Sequence, residues 1–296
     1  MTTRTKYSPI TRSGFGAELE GLDLARLDET MVNEAMDAFH EAGGLILIRD
    51  QGHIEPDDLL EFVSRFGTPE GNEKYDPSFL VPHYPDILRI GNARKDGMHT
   101  ALFIQADPPP FLWHMDDSFR HPQPAGSCLF CVRTPPEGGE TGFAGMTAAY
   151  EGLPDDVKAR IDSIRTVHSY HHLNELLRKK NRHRPPLSKA LIEQFPPIVR
   201  PLVARHPETN RKSLYLPLCH IESVEGLEKS EGDALLNGLQ DHAIRDEYTY
   251  MHRWRPGDLV VWDNRCTLHA PTPFDDTRYE RLMYRLTFGG RQIAGF

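Results

Sequence analysis

Two histidines and an aspartate stand out by type and spacing. In Trp113-His114-Met115-Asp116 a histidine and a carboxylate are separated by one residue. On a strand, residues two apart project from the same face, so His114 and Asp116 can reach one metal ion while Met115 points away. A third ligand must come from elsewhere, and the best placed is His269, which follows the strand-like run ending in Trp262-Asp263-Asn264-Arg265. Two imidazoles and one carboxylate on one face of an octahedron leave the other positions open, the arrangement of non-haem iron(II) oxygenases. The same three ligands also serve zinc hydrolases, and zinc generally binds such sites more tightly than iron(II). Against zinc stands the absence of an H-E-x-x-H motif. Alone, a His-x-Asp pair arises easily by chance among 15 His and 43 acidic residues, so its meaning depends on what accompanies it.

What accompanies it is a pair of arginines on the last strand. In Arg281-Leu282-Met283-Tyr284-Arg285-Leu286-Thr287, the odd-numbered residues share one face and Leu282, Tyr284 and Leu286 the other. If this strand lines a barrel, two guanidinium groups point inward, which is costly unless anions meet them there. The planar fork of arginine suits a carboxylate, which it can bind through two parallel hydrogen bonds. Solvent exposure, or pairing with internal Asp or Glu, is the alternative use of such arginines.

The elements that must position these groups can be traced along the chain. Residues 14–24 alternate between short extended runs and glycines, as in strands joined by tight turns. Asp28 can cap a helix with Met31, Ala35, Ala38 and Phe39 on one face and Gly43 and Gly44 at its end. Residues 45–48 read as a buried strand. A second helix starts at Pro56 with Asp57 and Asp58 in its first turn, buries Leu59, Leu60, Phe62, Val63 and Phe66, and stops at Gly67. Residues 87–90 and 127–132 are short apolar runs bounded by Gly and Pro. Helical composition over 147–164 is split by Pro154. The stretch 173–197 is basic and proline-rich with little periodicity, and reads as an insertion that covers a site or lies on the surface. Strands resume at 214–218, Ser230 with Asp233 suggests a capping box opening a helix through Leu235, Leu239 and Ala243, and 258–262 and 281–288 complete the strands. Many short strands with a few peripheral helices favour a mainly β fold, a barrel or jelly roll decorated by helices, over alternating parallel α/β. We expect one domain over 1–296, with a lid or surface insertion at about 173–197.

Composition narrows the partners. At 296 residues, 39% hydrophobic and 26% charged, the chain has apolar material for a sizeable core. A formal net charge of -9 argues against nucleic acid, whose binding requires Lys and Arg to neutralise phosphates, and favours a small molecule. The one basic run, Arg178, Lys179, Lys180, Arg182, His183 and Arg184, reads as a solvated loop and is assigned no chemistry. No run of about 18 apolar residues is present, and the N-terminal residues lack a secretory signal's apolar segment, so a cytoplasmic location without membrane contact is expected. Cys128, Cys131, Cys219 and Cys266 are too few for a disulfide scaffold. Cys128 and Cys131 form C-x-x-C but lie three apart on a strand, so they face opposite sides and do not share a metal.

Together, His114-Met115-Asp116, Gly138-Gly139-Glu140-Thr141, Trp262-Asp263-Asn264-Arg265 through His269, and Arg281 through Arg285 resemble the ordered motifs of the taurine dioxygenase and 2,4-dichlorophenoxyacetate dioxygenase (TauD/TfdA) family. The likeness extends to Gly16-Ala17-Glu18-Leu19 with Gly21 and Asp23-Leu24, and to residues 62–67, and so covers most of the chain. The resemblance implies a double-stranded β-helix core, jelly-roll or cupin-like. It makes His114, Asp116 and His269 the iron ligands and sets Thr141 and Arg281 on the distal carboxylate of the co-substrate 2-oxoglutarate. It puts Arg285 on the anionic end of the primary substrate or on the co-substrate, Asn92 in the substrate pocket, and the chain in a homo-oligomer. Arg281 follows His269 by twelve residues, one more than in the taurine enzyme, a difference the loop 271–279 can absorb. The stretch 173–197 carries no motif of the family.

The activity implied is dioxygen-dependent hydroxylation of a small anion, with release of succinate and CO2. Related halogenases lack the carboxylate so that chloride can bind iron; Asp116 therefore favours hydroxylation. The pattern around Asn92 and His269 is closer to the herbicide-degrading members than to the taurine enzyme, so a small, aryloxyalkanoate-like carboxylate is expected, with an alkylsulfonate as the alternative. A non-catalytic ligand-binding jelly roll explains the strands but not the order of the motifs.

Overall fold

The computed structural model describes residues 6–72, 76–92, 113–180 and 184–293. Residues 1–5 lie outside these segments, as do Arg182 and His183 of the basic run. The chain opens with β1 (Lys6–Pro9), β2 (Ala17–Glu20), α1 (Glu29–Glu41), β3 (Leu45–Ile48) and α2 (Pro56–Ser64). There follow β4 (Thr68–Pro69), β5 (Leu80–Val81), β6 (Tyr84–Gly91), β7 (Gly126–Arg133), β8 (Thr141–Gly145), α3 (Met146–Glu151) and α4 (Asp155–Ile161). Next come β9 (Arg165–His168), α5 (Tyr170–Lys180), α6 (Lys189–Gln194), β10 (Ile198–Pro201), β11 (Val203–Arg205), β12 (Lys212–Leu214) and β13 (Ile221–Val224). The last elements are α7 (Lys229–Ala243), β14 (Thr249–His252), β15 (Leu259–Asp263), β16 (Thr267–Pro271) and β17 (Leu282–Gly289).

Two sheets carry the fold. The larger runs β1-β2-β3-β15-β7-β17-β6-β5, with β4 on β17, and the smaller runs β14-β8-β16. Strands β3, β15 and β7 are buried at nearly every position, as expected of strands covered on both faces. One face of the larger sheet packs Ile46, Ile48, Cys128, Val261, Leu286 and Phe288 against Phe39 of α1 and Leu59 and Phe62 of α2. The opposite face packs Leu45, Leu47, Leu129, Cys131, Trp262 and Met283 against Phe143 of β8. Cys128 and Cys131 thus lie on opposite faces, and all four cysteines are free. Truncating Trp262, which is fully buried in this inner layer, costs on the order of 3–5 kcal/mol.

The helix ends follow from local chemistry. Asp28 accepts the Met31 N–H at 2.8 Å and so caps α1, which buries Val32, Ala35, Ala38 and Phe39. Its chain reversal uses Gly44 at φ 84°, where a Cβ would lie 2.8 Å from Cys266 Sγ and 2.7 Å from Asp263 Cβ, so no larger residue fits. Pro56 begins α2, whose Glu55 and Asp58 form a reciprocal capping box. Gly152 and Pro154 separate α3 from α4.

Four expectations need correction. The stretch 173–197 is not irregular: α5 and α6 occupy much of it, and Leu173, Leu177 and Phe195 pack with Phe119 and Cys219. Helix α7 begins two residues earlier than expected, with Glu228 as N-cap, so Ser230 and Asp233 lie inside its first turns. The strand expected over 214–218 ends at Leu214. His114 makes a single isolated bridge, and the chain turns directly after Asp116, so no regular strand spans this segment.

Candidate metal and co-substrate site

The two histidines are brought together by backbone pairing. His114 N–H donates to the His269 carbonyl at 3.0 Å and His269 N–H to the His114 carbonyl at 2.9 Å. Residues that exchange both hydrogen bonds stand directly opposite with side chains on the same face, and the two rings lie 4.1 Å apart between centroids. Asp116 joins them: its Oδ1 is 3.9 Å from His114 Nε2 and 3.7 Å from His269 Nε2.

The carboxylate is held from its other side. Oδ2 of Asp116 accepts from Arg285 Nη2 at 2.6 Å and from Ser127 Oγ at 3.1 Å, and the Asp116 N–H donates to Asn264 Oδ1 at 3.3 Å. Burial pushes the carboxyl up, but Arg285, the two imidazoles and Ser127 outweigh it and keep Asp116 well below the usual carboxylate range. His269 is pushed well below the usual imidazole range by burial and by His114, leaving it neutral, the form in which histidine binds metals. The donor set therefore fits a first-row divalent ion: two imidazoles, an ionised carboxylate and an Oδ1 without a hydrogen bond among the described residues.

A second group, His206, Asp263 and Cys266, also has three ligand-type atoms close together. Its valences are spent. Both Asp263 oxygens accept from the Arg265 guanidinium, at 2.9 and 2.6 Å, and Oδ2 lies 2.9 Å from His206 Nε2. His206 Nδ1 accepts the Thr209 N–H at 3.2 Å, and the Cys266 thiol donates to the Gly43 carbonyl at 3.4 Å. This is a hydrogen-bonded structural network, and of the two groups found among the described residues only the one at Asp116 keeps a carboxylate oxygen without a hydrogen bond.

The arginines follow the alternation of the last strand. Met283 packs in the inner layer and Arg285 and Thr287 lie on its side, while Tyr284, Leu286 and Phe288 pack with the helices. Arg281, just ahead of β17, is 3% exposed. Its Nε donates to the Gly139 carbonyl at 3.2 Å, and it forms no ion pair with a carboxylate among the described residues. Burial lowers the guanidinium to about 10, Cys131 partly opposing the shift. Gly91 makes room for this segment, since a Cβ there would sit 1.8 Å from the Arg281 carbonyl oxygen. Thr141, at the start of β8, is 3% exposed and its Oγ1 accepts the indole N–H of Trp254 at 3.0 Å.

Asn92, just past the end of β6, is buried and bonded to the loop that leads to Arg281. Its side-chain N–H groups donate to the carbonyls of Asp276 and Tyr279, at 3.1 and 2.9 Å, and its Oδ1 accepts the Arg281 N–H at 2.7 Å. Three of its four side-chain hydrogen-bonding positions are thus directed at the backbone of the loop leading to Arg281. In the basic run, Arg178 pairs with Glu175 at 2.9 Å and Arg184 Nε donates to Asn174 at 2.6 Å, so these side chains shape their own loop.

Sequence reasoning missed Ser127, Asn264 and Trp254 around the site, and a buried relay in which Ser118 Oγ lies 2.8 Å from Nδ1 of both His168 and His220. His220 is held down to about 3 by burial and by His114. Only Ser127 had a local signal, as the polar residue in an apolar strand.

Such a site, on a mostly β fold with few helices, defines a metal-dependent enzyme of the non-haem oxygenase class. The chain matches the family model described as "Taurine catabolism dioxygenase TauD, TfdA family" over residues 6–287. It is 34% identical over 285 residues to the (S)-phenoxypropionate/alpha-ketoglutarate-dioxygenase of Sphingobium herbicidovorans, covering 93% of this chain and 92% of that protein. It is 34% identical over 270 residues to the alpha-ketoglutarate-dependent 2,4-dichlorophenoxyacetate dioxygenase of Cupriavidus pinatubonensis, covering 88% and 90%. Among solved structures, AAD-2 in complex with Mn(II) and N-oxalylglycine superposes with a TM-score of 0.79 at 29% identity, over 98% of this chain and 99% of that one. The chain belongs to the TauD/TfdA family. It is a 2-oxoglutarate-dependent non-haem iron dioxygenase, with Fe(II), 2-oxoglutarate and dioxygen as its cofactor and co-substrates. No helix among the described residues is long and apolar enough to cross a membrane.

Proposed function

We propose that this enzyme hydroxylates a small aryloxyalkanoate-like carboxylate, with His114, Asp116 and His269 holding the iron and Arg281 with Thr141 holding the far carboxylate of 2-oxoglutarate. The observation that carries this reading is a buried guanidinium, Arg281, with no carboxylate partner among the described residues, on the same strand segment as the arginine that touches Asp116. Four residues of strand separate Arg281 from Arg285, about 13 Å, which long side chains and a five-carbon diacid can bridge. When bound, iron(II) and 2-oxoglutarate use dioxygen to place one oxygen atom in a substrate C–H bond and the other in succinate, with loss of CO2.

The protein's part is to bind, orient and exclude water. Arg281 and Thr141 fix the diacid at its distal end. Arg285 steers Asp116 so that Oδ1 faces the histidines, and its cationic edge favours an anionic substrate. Phe119, three residues beyond Asp116, stacks on Tyr170 of α5 at 4.8 Å and meets Phe195 edge-on, so the segment around 173–197 is suited to cover the substrate. If the hydroxylated carbon bears the ether oxygen, the product breaks down to a phenol and an oxo acid without further help. Asn92 we assign to bracing the loop before Arg281.

We take the protein to be one jelly-roll domain, its two sheets closing over the inner apolar layer, and to work as a homo-oligomer. Its four free, buried cysteines accord with a cytoplasmic location. The test is a screen of anions, aryloxyalkanoates and alkylsulfonates together, for succinate release that depends on substrate and iron(II). Release with a phenoxy acid and not with taurine supports the reading; release only with sulfonates replaces it.

A further inference from the structure

Trp254 stands between β14 and β15 and belongs to none of the ligand sets above. Its indole nitrogen can only donate, and it donates to Thr141 Oγ1 at 3.0 Å. Both residues are buried, Trp254 at 7% and Thr141 at 3% exposure, so water does not compete for the hydroxyl. With one lone pair occupied by an N–H, the hydroxyl proton must point elsewhere, and it meets no acceptor among the described residues. A buried O–H donor left unmet is expensive and makes sense beside a ligand that accepts.

The indole is itself held from behind. His252, the register partner of Thr141 on β14, sets its ring edge-on to Trp254 with centroids 4.3 Å apart. Its Nδ1 lies 2.8 Å from Tyr250 Oη and its Nε2 3.1 Å from Asp258 Oδ2. Asp258 in turn accepts from Arg49 and from the Arg255 N–H, each at 2.9 Å. Close polar and ring contacts thus run from Arg49 through Asp258 and His252 to Trp254 and end on one hydroxyl.

We propose that Trp254 is a positioning residue for co-substrate binding: it turns the Thr141 O–H toward the distal carboxylate of the diacid, next to the guanidinium of Arg281. The inference rests on Thr141 and Arg281 holding that carboxylate.

The test is calorimetric binding of 2-oxoglutarate and of 2-oxobutyrate, which lacks the distal carboxylate, to manganese(II)-loaded protein without turnover. Trp254→Phe keeps an aromatic ring and removes the donor; 2-oxoglutarate affinity should fall about five- to tenfold while 2-oxobutyrate affinity stays the same. In a Thr141→Val background the second substitution should add nothing. Should Trp254→Phe not fold, benzothienylalanine at position 254, which exchanges only the N–H for sulfur, makes the same comparison. Equal weakening of both oxo acids, additive effects with Thr141→Val, or unchanged binding would overturn the proposal. Failure of the wild-type protein to bind 2-oxoglutarate would instead overturn the co-substrate site itself.

Discussion

His114 and His269 exchange both of their backbone hydrogen bonds, at 3.0 and 2.9 Å, although 155 residues of chain separate them. The pairing involves main-chain atoms alone, so it survives the loss of either imidazole. Replacing His269 with Ala should therefore leave the thermal midpoint of the metal-free protein within a few degrees. Iron(II) affinity should fall by more than about 100-fold, beyond the 10–100-fold expected of losing an outer partner. Anaerobic metal titration with parallel calorimetry checks both halves.

Arg285 touches Asp116 and is proposed to favour an anionic substrate, so its removal has two expected effects. Arg285→Ala should weaken iron binding by about 10–100-fold and, once metal is saturating, raise KM for the anionic substrate far more than for 2-oxoglutarate. The reverse pattern of KM values would assign this arginine to the co-substrate.

Arg281 illustrates a conflict between stability and function. A buried cation with no counter-ion among the described residues destabilises the ligand-free protein, and apolar residues of similar volume often stabilise such positions by about 1–4 kcal/mol. Arg281→Met should thus raise or preserve the melting temperature without ligand while abolishing stabilisation by 2-oxoglutarate. A variant that melts lower and still binds the diacid would contradict this assignment.

Acid should destabilise the fold earlier than its carboxylates alone require. The imidazole of His220 has its proton affinity lowered from 6.5 to about 3 by burial, so below pH 6.5 the unfolded chain takes up a proton that the folded one refuses. Its contribution is complete above 6.5 and is lost as pH falls toward 3, at about 1.4 kcal/mol per pH unit. Urea denaturation of metal-free protein near pH 7 and near pH 5 should show this loss, and His220→Gln should flatten the slope by about that amount.

Those relationships differ in how far they were visible in the chain. The alternation of Arg281, Met283 and Arg285 against Leu282, Tyr284 and Leu286 is a local pattern, and it predicted which side chains share the interior with Phe143 and Trp262. Asp28 and Pro56 announced their helices because capping depends on neighbours in sequence. The helix α5 was missed because its apolar residues are sparse and its charges many; it is stabilised by Phe119, about fifty positions earlier. The backbone partners of Asn92 were hidden for the same reason: Asp276, Tyr279 and Arg281 are more than 180 positions away, and nothing in Ile90-Gly91-Asn92 reports them. The donor from Trp254 to Thr141 spans 113 positions and depends on the pairing of β14 with β8.

The most direct test is a crystal structure with manganese(II) and N-oxalylglycine, the metal located by anomalous scattering. The account predicts one ion bound by His114, Asp116 and His269, with the far carboxylate of the diacid on Arg281 and Thr141. An ion at His206, Asp263 and Cys266 instead, or a diacid whose far end avoids Arg281, would contradict it.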